Sequence, residues 1–142
     1  MSLANTVERL IDFYKHLDAA RLDSLGEIYS HDVDFQDPAQ HIKGLPALKA
    51  YFSSLMQEVR DCRFIIQRTE VSSAQAVIEW QMRFSHPRLN GGKVIAVDGV
   101  SLLSGDDKIS RHRDYFDLGA LLYEHIPLLG GAVRQLKRRL RA

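Results

Sequence analysis

The sequence is poor in the residues that build disulfides and metal centres. Cys62 is the single cysteine among 142 residues, which excludes an internal disulfide and fits a reducing compartment such as the cytoplasm. The six histidines are scattered without the spacing of zinc ligands, and the chain has no glycine-rich phosphate-binding loop. We therefore predict no metal site and no cofactor.

Long apolar runs are missing as well. No stretch of about 18 apolar residues occurs, which argues against a segment that spans a membrane. Residues 1–6 lack the basic-then-apolar pattern of a secretion signal. Hydrophobic residues make up 45% of the chain, enough for one core, so we predict a single domain over residues 1–142.

The small net charge of +1 conceals an uneven distribution. Residues 131–142 carry five Lys or Arg and no acid, which leaves 14 basic against 18 acidic residues, a net of −4, elsewhere. We interpret this segment as a final basic helix, because cations suit the negative end of a helix dipole. An acidic membrane surface is an alternative partner. Nucleic acid is disfavoured, because no aromatic side chains interleave the charges.

Helices precede strands along the chain. Apolar spacing predicts helices from Asn5 or Thr6 through Leu17, over Leu22–Tyr29 and from Pro46 to about Val59, with a short strand over Val33–Asp37. Four strand-like runs follow at Arg63–Val71, Ala76–Phe84, Lys93–Leu103 and Lys108–Phe116, and helical signal returns over Leu118–His125. This order predicts an α+β domain in which a curved sheet packs on helices and encloses a hollow suited to a ligand.

The strand predicted over Lys108–Phe116 carries charged side chains where apolar ones would be expected. Alternation places His112, Asp114 and Phe116 on one face and Arg111, Arg113 and Tyr115 on the other. An inward His112 and Asp114 would place an imidazole and a carboxylate in a cavity, typical of a binding or catalytic site. Alternation alone leaves open a half-exposed strand with both groups in water.

The segments FYKHLDAARLDSLGEIYSHDVDFQDP, IKGLPALKAYF and DKISRHRDYFD resemble the NTF2-like superfamily, and its SnoaL-like and ketosteroid-isomerase-like branch most of all. The resemblance covers residues 5–130. It implies a cone-shaped α+β fold with a pocket and a homodimer formed through the outer sheet face, which would carry Glu79, Gln81, Arg83, Arg111 and Arg113.

Two enzyme families within this superfamily imply roles for individual residues. In ketosteroid isomerases, the base belongs to an Asp-Pro pair and a tyrosine of the first helix donates to the oxyanion; Asp37 and Tyr14 stand at those places. The position of the second oxyanion donor is occupied by Gly99. Limonene-epoxide hydrolases share the segment around Asp114, but Trp80 and Met82 replace their other two catalytic residues, so epoxide hydrolysis is disfavoured.

The resemblance implies that the Asp114 face lines the pocket. The candidate catalytic residues are Tyr14, Asp37, His112 and Asp114, and the candidate lining residues are Phe35, Ile78, Trp80, Met82, Val97, Gly99, Ser101 and Phe116. Simpler interpretations stay open, because Asp37 is also typical of a turn before Pro38 and Asp114 could pair with an arginine.

Two classes of function are compatible with these residues. The first is a cofactor-independent acid–base enzyme, of the isomerase or cyclase type, acting on a hydrophobic cyclic or polyketide-like compound. In it Asp37 is the expected base, and Tyr14 and the pair His112 and Asp114 are the expected donors. The alternative is a non-catalytic ligand-binding or dimerisation module, which the incomplete oxyanion site favours.

Overall fold

A computed structural model describes residues 2–121 and 129–141. The helices are α1 (Leu3–Lys15), α2 (Leu25–Ile28), α3 (Leu45–Glu58), α4 (Leu118–Leu121) and α5 (Leu129–Leu140). The strands are β1 (Tyr29–Gln36), β2 (His41–Lys43), β3 (Arg60–Val71), β4 (Gln75–Ser85), β5 (Ile95–Gly105) and β6 (Ile109–Phe116). Short 3-10 helices lie at Ala19–Ser24 and Asn90–Gly92.

The six strands form one open mixed sheet in the order β2-β1-β6-β5-β4-β3. Neighbours are antiparallel except for β1 and β6, which run parallel. α1 and α3 cover the inner face of this sheet, where the main core lies. The predicted α+β class, with N-terminal helices on a curved mixed sheet, is confirmed.

α1 illustrates how the sequence directs local structure. The Ser2 side chain accepts a hydrogen bond from the Asn5 amide, which caps the helix two residues earlier than the apolar spacing suggested. Val7, Leu10 and Tyr14 recur at helical spacing and are all buried against the sheet.

The second helix is shorter than predicted. Most of Leu22–Tyr29 divides between the 3-10 helix and the single turn of α2, and Tyr29 already belongs to β1. The cause is non-local, because Tyr29 lies beside Ile109 of the parallel neighbour β6. β1 is therefore longer at its start than the predicted strand over Val33–Asp37. The three-residue strand β2 was missed because it is too short to show alternation.

Smaller differences concern the ends of elements. β3 begins at Arg60 and contains a register shift next to Asp61, whose φ of 52° is left-handed. β5 begins at Ile95, two residues after the predicted start. The helix predicted over Leu118–His125 is present as α4, and its remaining residues lie outside those described. The basic helix is α5, which begins at Leu129 and ends at Leu140.

The described residues contain no helix that is both long enough and apolar enough to cross a membrane. A second small core, made of Phe84, Ile95 and Val97, lies where β4 ends and β5 begins.

Candidate functional site

β6 points its polar inner side chains into the core. The His112 side chain has no exposed surface and that of Asp114 is 12% exposed, whereas Arg111 and Tyr115 lie on the outer face. The inward alternative left open by alternation is thus the one that the fold adopts. Burying an imidazole and a carboxylate is costly unless they are paired.

The two buried groups are paired with each other and with a serine of the next strand. His112 Nε2 lies 2.6 Å from Asp114 Oδ1, and the Ser101 hydroxyl donates to the same oxygen at 2.5 Å. The indole N–H of Trp80 donates to Ser101 Oγ at 2.9 Å. Ser101 reaches Asp114 because the two residues lie opposite each other in the β5–β6 register. Asp114 is therefore held through Oδ1, which leaves Oδ2 free of these contacts.

A tyrosine that sequence reasoning assigned only to a helix extends this network. The Tyr29 hydroxyl lies 2.8 Å from His112 Nδ1. With Tyr29 donating to Nδ1, the N–H of His112 is on Nε2 and donates to Asp114. The donors then run in one direction, from Tyr29 through His112 to Asp114.

Burial keeps these phenols protonated. Desolvation raises the pKa of Tyr14 well above its ordinary value, and the neighbouring Tyr29 and Asp114 raise it further. Desolvation is also the main cause of the raised pKa of Tyr29, to which the Asp114 charge adds. Both hydroxyls therefore remain hydrogen-bond donors over the physiological pH range.

Asp114 and Tyr14 line a small, partly open cavity of about 80 Å³. The lining residues are Tyr14, Phe35, Tyr51, Phe52, Leu55, Phe64, Trp80, Met82, Asp114 and Phe116. The Tyr14 ring stacks on Phe64 with 4.3 Å between centroids, and Phe64 meets Trp80 edge-on. The site is thus an aromatic chamber that holds one carboxyl group and phenol hydroxyls.

The indole of Trp80 limits the size of this chamber. A Cβ added to Gly99 would lie 2.3 Å from the Trp80 ring, so only glycine leaves room for the indole there. The sequence resemblance implied that Gly99 takes the place of the second oxyanion donor of ketosteroid isomerases. The Trp80 ring lies directly against Gly99.

Asp37 is buried but is not among the residues that line the chamber. Its Oδ1 accepts from the amides of Ala39 and Gln40 at 2.7 and 3.0 Å, the arrangement of an Asx turn. Desolvation raises the pKa of Tyr51, and the charges of Asp37 and Asp114 raise it further.

The other predicted residues divide into those at the chamber and those behind it. Phe35, Trp80, Met82 and Phe116 line it together with Tyr14 and Asp114. His112, Ser101, Ile78, Val97 and Gly99 are buried but do not line it. Tyr51 and Leu55 were not predicted; they also line an open groove between β2 and α3, so they form the wall between chamber and solvent. The helical spacing of 51 and 55 was the available signal.

The described residues contain no group of three or more His, Cys, Asp or Glu side chains that could hold a metal ion. Residues 10–112 match the family model of the SnoaL-like domain. The chain belongs to the SnoaL-like domain family. No curated protein matches the sequence.

Solved structures with the same fold include both kinds of relative that the sequence resembles. A protein of Catenulispora acidiphila with a ketosteroid isomerase-like fold, in complex with trimethylamine, has 16% identity and a TM-score of 0.71, over 82% of this chain and 88% of that one. An NTF2-like protein of Burkholderia pseudomallei has 14% identity and a TM-score of 0.73, over 86% and 96%. An LEH-like epoxide hydrolase of M. tuberculosis has 17% identity and a TM-score of 0.65, over 82% and 83%. These likenesses establish the NTF2-like fold.

Proposed function

We propose that the aromatic chamber binds a small, largely apolar molecule and that Asp114 moves a proton on it, without a cofactor. The observation that carries this proposal is the carboxyl group of Asp114. Two donors fix one of its oxygens at 2.5 and 2.6 Å, and the residue opens onto a chamber lined mainly by aromatic side chains. A carboxylate in a fixed orientation beside apolar walls suits a general base.

The phenol hydroxyls supply the complementary group. When a base removes a proton next to a carbonyl group, negative charge develops on the oxygen, and a placed donor stabilises it. Tyr14 keeps its proton because of its raised pKa, and it lines the same chamber as Asp114. The reaction class is therefore proton transfer next to a carbonyl, as in an isomerase or a cyclase.

The size of the chamber limits the ligand. About 80 Å³ is well below the roughly 300–1,000 Å³ of common ligand pockets, so a fused-ring polyketide would need the wall to move. A compound with a few heavy atoms fits better, and trimethylamine in the Catenulispora acidiphila relative is a ligand of that size. We therefore narrow the hydrophobic cyclic or polyketide-like ligand to a small carbonyl compound.

Asp37 remains the alternative base. Its carboxyl group lies next to Tyr51, which contacts the chamber, and it stands at the place of the ketosteroid isomerase base. The two candidates make opposite predictions for matched Asp→Asn variants.

Deuterium exchange at carbon atoms next to a carbonyl group, followed by NMR in heavy water, tests the proposal. A panel of small ketones should include one compound whose exchange the wild-type chain accelerates. Asp114→Asn should lower that rate by about 10²-fold or more, and Asp37→Asn should change it less than about threefold. The reverse order would identify Asp37 as the base.

A binding module without turnover is the second candidate. Gly99 takes the place of the second oxyanion donor, and Trp80 and Met82 take those of the hydrolase residues, which favours this alternative. In that case ketones would shift the NMR signals of the protein while no exchange occurs in any variant. A homodimer through the outer sheet face and a cytoplasmic location, which the free thiol of Cys62 fits, complete the proposal.

A further inference from the structure

The C-terminal helix α5 carries an exposed apolar stripe. Ala132, Leu136 and Leu140 are four residues apart and so lie on one face of the helix. Leu136 is 59% and Leu140 85% exposed, and Ala132 is exposed as well. The candidate site described above includes no residue of this face.

Cations border the stripe on both sides. At 100° per residue, Arg139 falls on one edge of the stripe and Lys137 on the other, while Arg134, Arg138 and Arg141 occupy the opposite side. No acidic residue interrupts them in residues 131–142.

Lys137 connects the helix to the domain. Its ammonium group lies 2.5 Å from Asp117 Oδ2, at the start of α4. Lys137, at the edge of the stripe, is half-buried, whereas Ala132, Leu136 and Leu140 are exposed. These three apolar side chains are therefore open to a partner.

The chemistry of the helix selects among partners. A nucleic acid would use the cations but not a leucine stripe, and α5 has no aromatic side chain to stack on bases. The exposed apolar residues on the sheet of a second copy, such as Leu102, lie among Arg111 and Arg113, which would repel a basic helix. An apolar stripe between basic edges matches a bilayer surface, where hydrocarbon lies beneath anionic headgroups.

We propose that α5 lies in the plane of an anionic membrane surface, with Ala132, Leu136 and Leu140 among the acyl chains and the arginines at the headgroups. The helix would lie about 5–10 Å into the interface and would not cross it. The cytoplasmic leaflet carries such negative charge. This proposal does not depend on the reaction proposed for the chamber.

Flotation of the whole chain with lipid vesicles tests the proposal. Wild-type protein should float with phosphatidylcholine vesicles that contain about 30% phosphatidylglycerol, should not float with phosphatidylcholine alone, and should be released by salt. Joint replacement Leu136→Gln and Leu140→Gln should lower the partition constant by about tenfold or more, because the apolar contact is lost. Arg138→Gln with Arg139→Gln should lower it by a similar factor.

Matched control variants remove an exposed apolar side chain or two cations from other parts of the surface. Val94→Gln removes an exposed apolar side chain just before β5, and Arg63→Gln with Arg88→Gln removes two exposed cations. Both should stay within about twofold of wild type, since contact with the bilayer is local. Unfolding midpoints would show that every variant is folded, as expected for exposed sites.

Several results would overturn the proposal. One is equal flotation with neutral and anionic vesicles, and another is flotation that survives both double replacements. Absence of flotation, combined with a lower sedimenting mass in the leucine variant, would identify a second copy as the partner. Retention of a DNA duplex without flotation would identify nucleic acid.

Discussion

Ser101 connects the chamber to the core through a single hydroxyl group. It accepts from the Trp80 indole and donates to Asp114, and it is fully buried. Ser101→Ala would leave the buried indole N–H without a partner, so we expect a loss of about 1–3 kcal/mol in the free energy of unfolding, measured with urea. Ser110→Ala on the exposed side of β6 is the control and should cost less than about 0.5 kcal/mol. Equal costs for the two variants would contradict the network.

Gly99 and Trp80 pack closely against each other. Gly99→Ala would place a methyl group 2.3 Å from the indole, so the ring must move, at a cost of about 1–3 kcal/mol. Trp80 is the only tryptophan, and its fluorescence therefore reports this movement directly. Gly26→Ala is the control, because its new Cβ would meet Leu45 at an ordinary 3.7 Å. An emission spectrum unchanged by Gly99→Ala would show that the ring is not held as described.

Sequence reasoning found the residues of β6 more readily than their partners. The inward position of His112 and Asp114 depends on a period of two, which is local, and the family resemblance chose the face. Tyr29 was not predicted as a site residue because its contact with His112 joins residues 83 positions apart, and because its own segment has helical spacing. Asp37 was proposed as a base from its residue type and position. An aspartate before a proline is equally typical of an Asx turn, and only the contacts in the structure distinguish the two roles.

At the scale of elements, the strands with clear alternation were predicted well and the short ones were not. β4 alternates buried and exposed residues over most of its length, so its two faces can be read from the sequence. β1 depends instead on parallel pairing with β6, a contact that no local pattern contains. The prediction of the second helix was wrong for the same reason, because strand pairing in the folded chain outweighed the helical spacing of its sequence.

α3 is the element that separates the chamber from solvent. Tyr51 and Leu55 lie one helical turn apart and contact both the chamber and the outer groove. Leu55→Ala should admit larger ketones than wild type accepts, because the wall loses three carbon atoms, as measured by NMR titration with cyclic ketones of increasing size. Leu48→Ala, on the same helix but not at the chamber, should destabilise the fold by about 2–5 kcal/mol without changing the size limit. A size limit that moves in both variants would argue against a specific wall.

At the scale of the whole molecule, the outer sheet face is the surface proposed for the homodimer. Val77, Leu102 and Tyr115 are 38%, 43% and 50% exposed there, beside Arg111 and Arg113. Exposed apolar patches rimmed by charge are typical of protein interfaces. Leu102→Glu should convert a dimer to a monomer in sedimentation at micromolar concentration. Val94→Glu, an exposed apolar residue outside the patch, is the control, and a wild-type chain that sediments as a monomer would exclude this interface.

The buried thiol and phenol groups should make the fold less stable at alkaline pH. Burial raises the pKa of the Cys62 thiol from 9.0 to about 12, and desolvation raises the pKa values of Tyr14, Tyr29 and Tyr51 above 10.0. The unfolded chain releases these protons first, so their contribution to stability is complete below about pH 9 and is lost as the pH rises toward the folded pKa values.

The expected slope can be measured for a single group. Each group that is ionised only in the unfolded chain lowers the free energy of unfolding by about 1.4 kcal/mol per pH unit. Tyr51→Phe removes one such group, so its urea-unfolding free energy should fall less steeply than that of wild type between pH 10 and 12, by about that amount per unit. A purely structural effect of the substitution would shift the whole curve equally, including at pH 7. A parallel shift with an unchanged slope would therefore show that Tyr51 does not keep its proton in the folded chain.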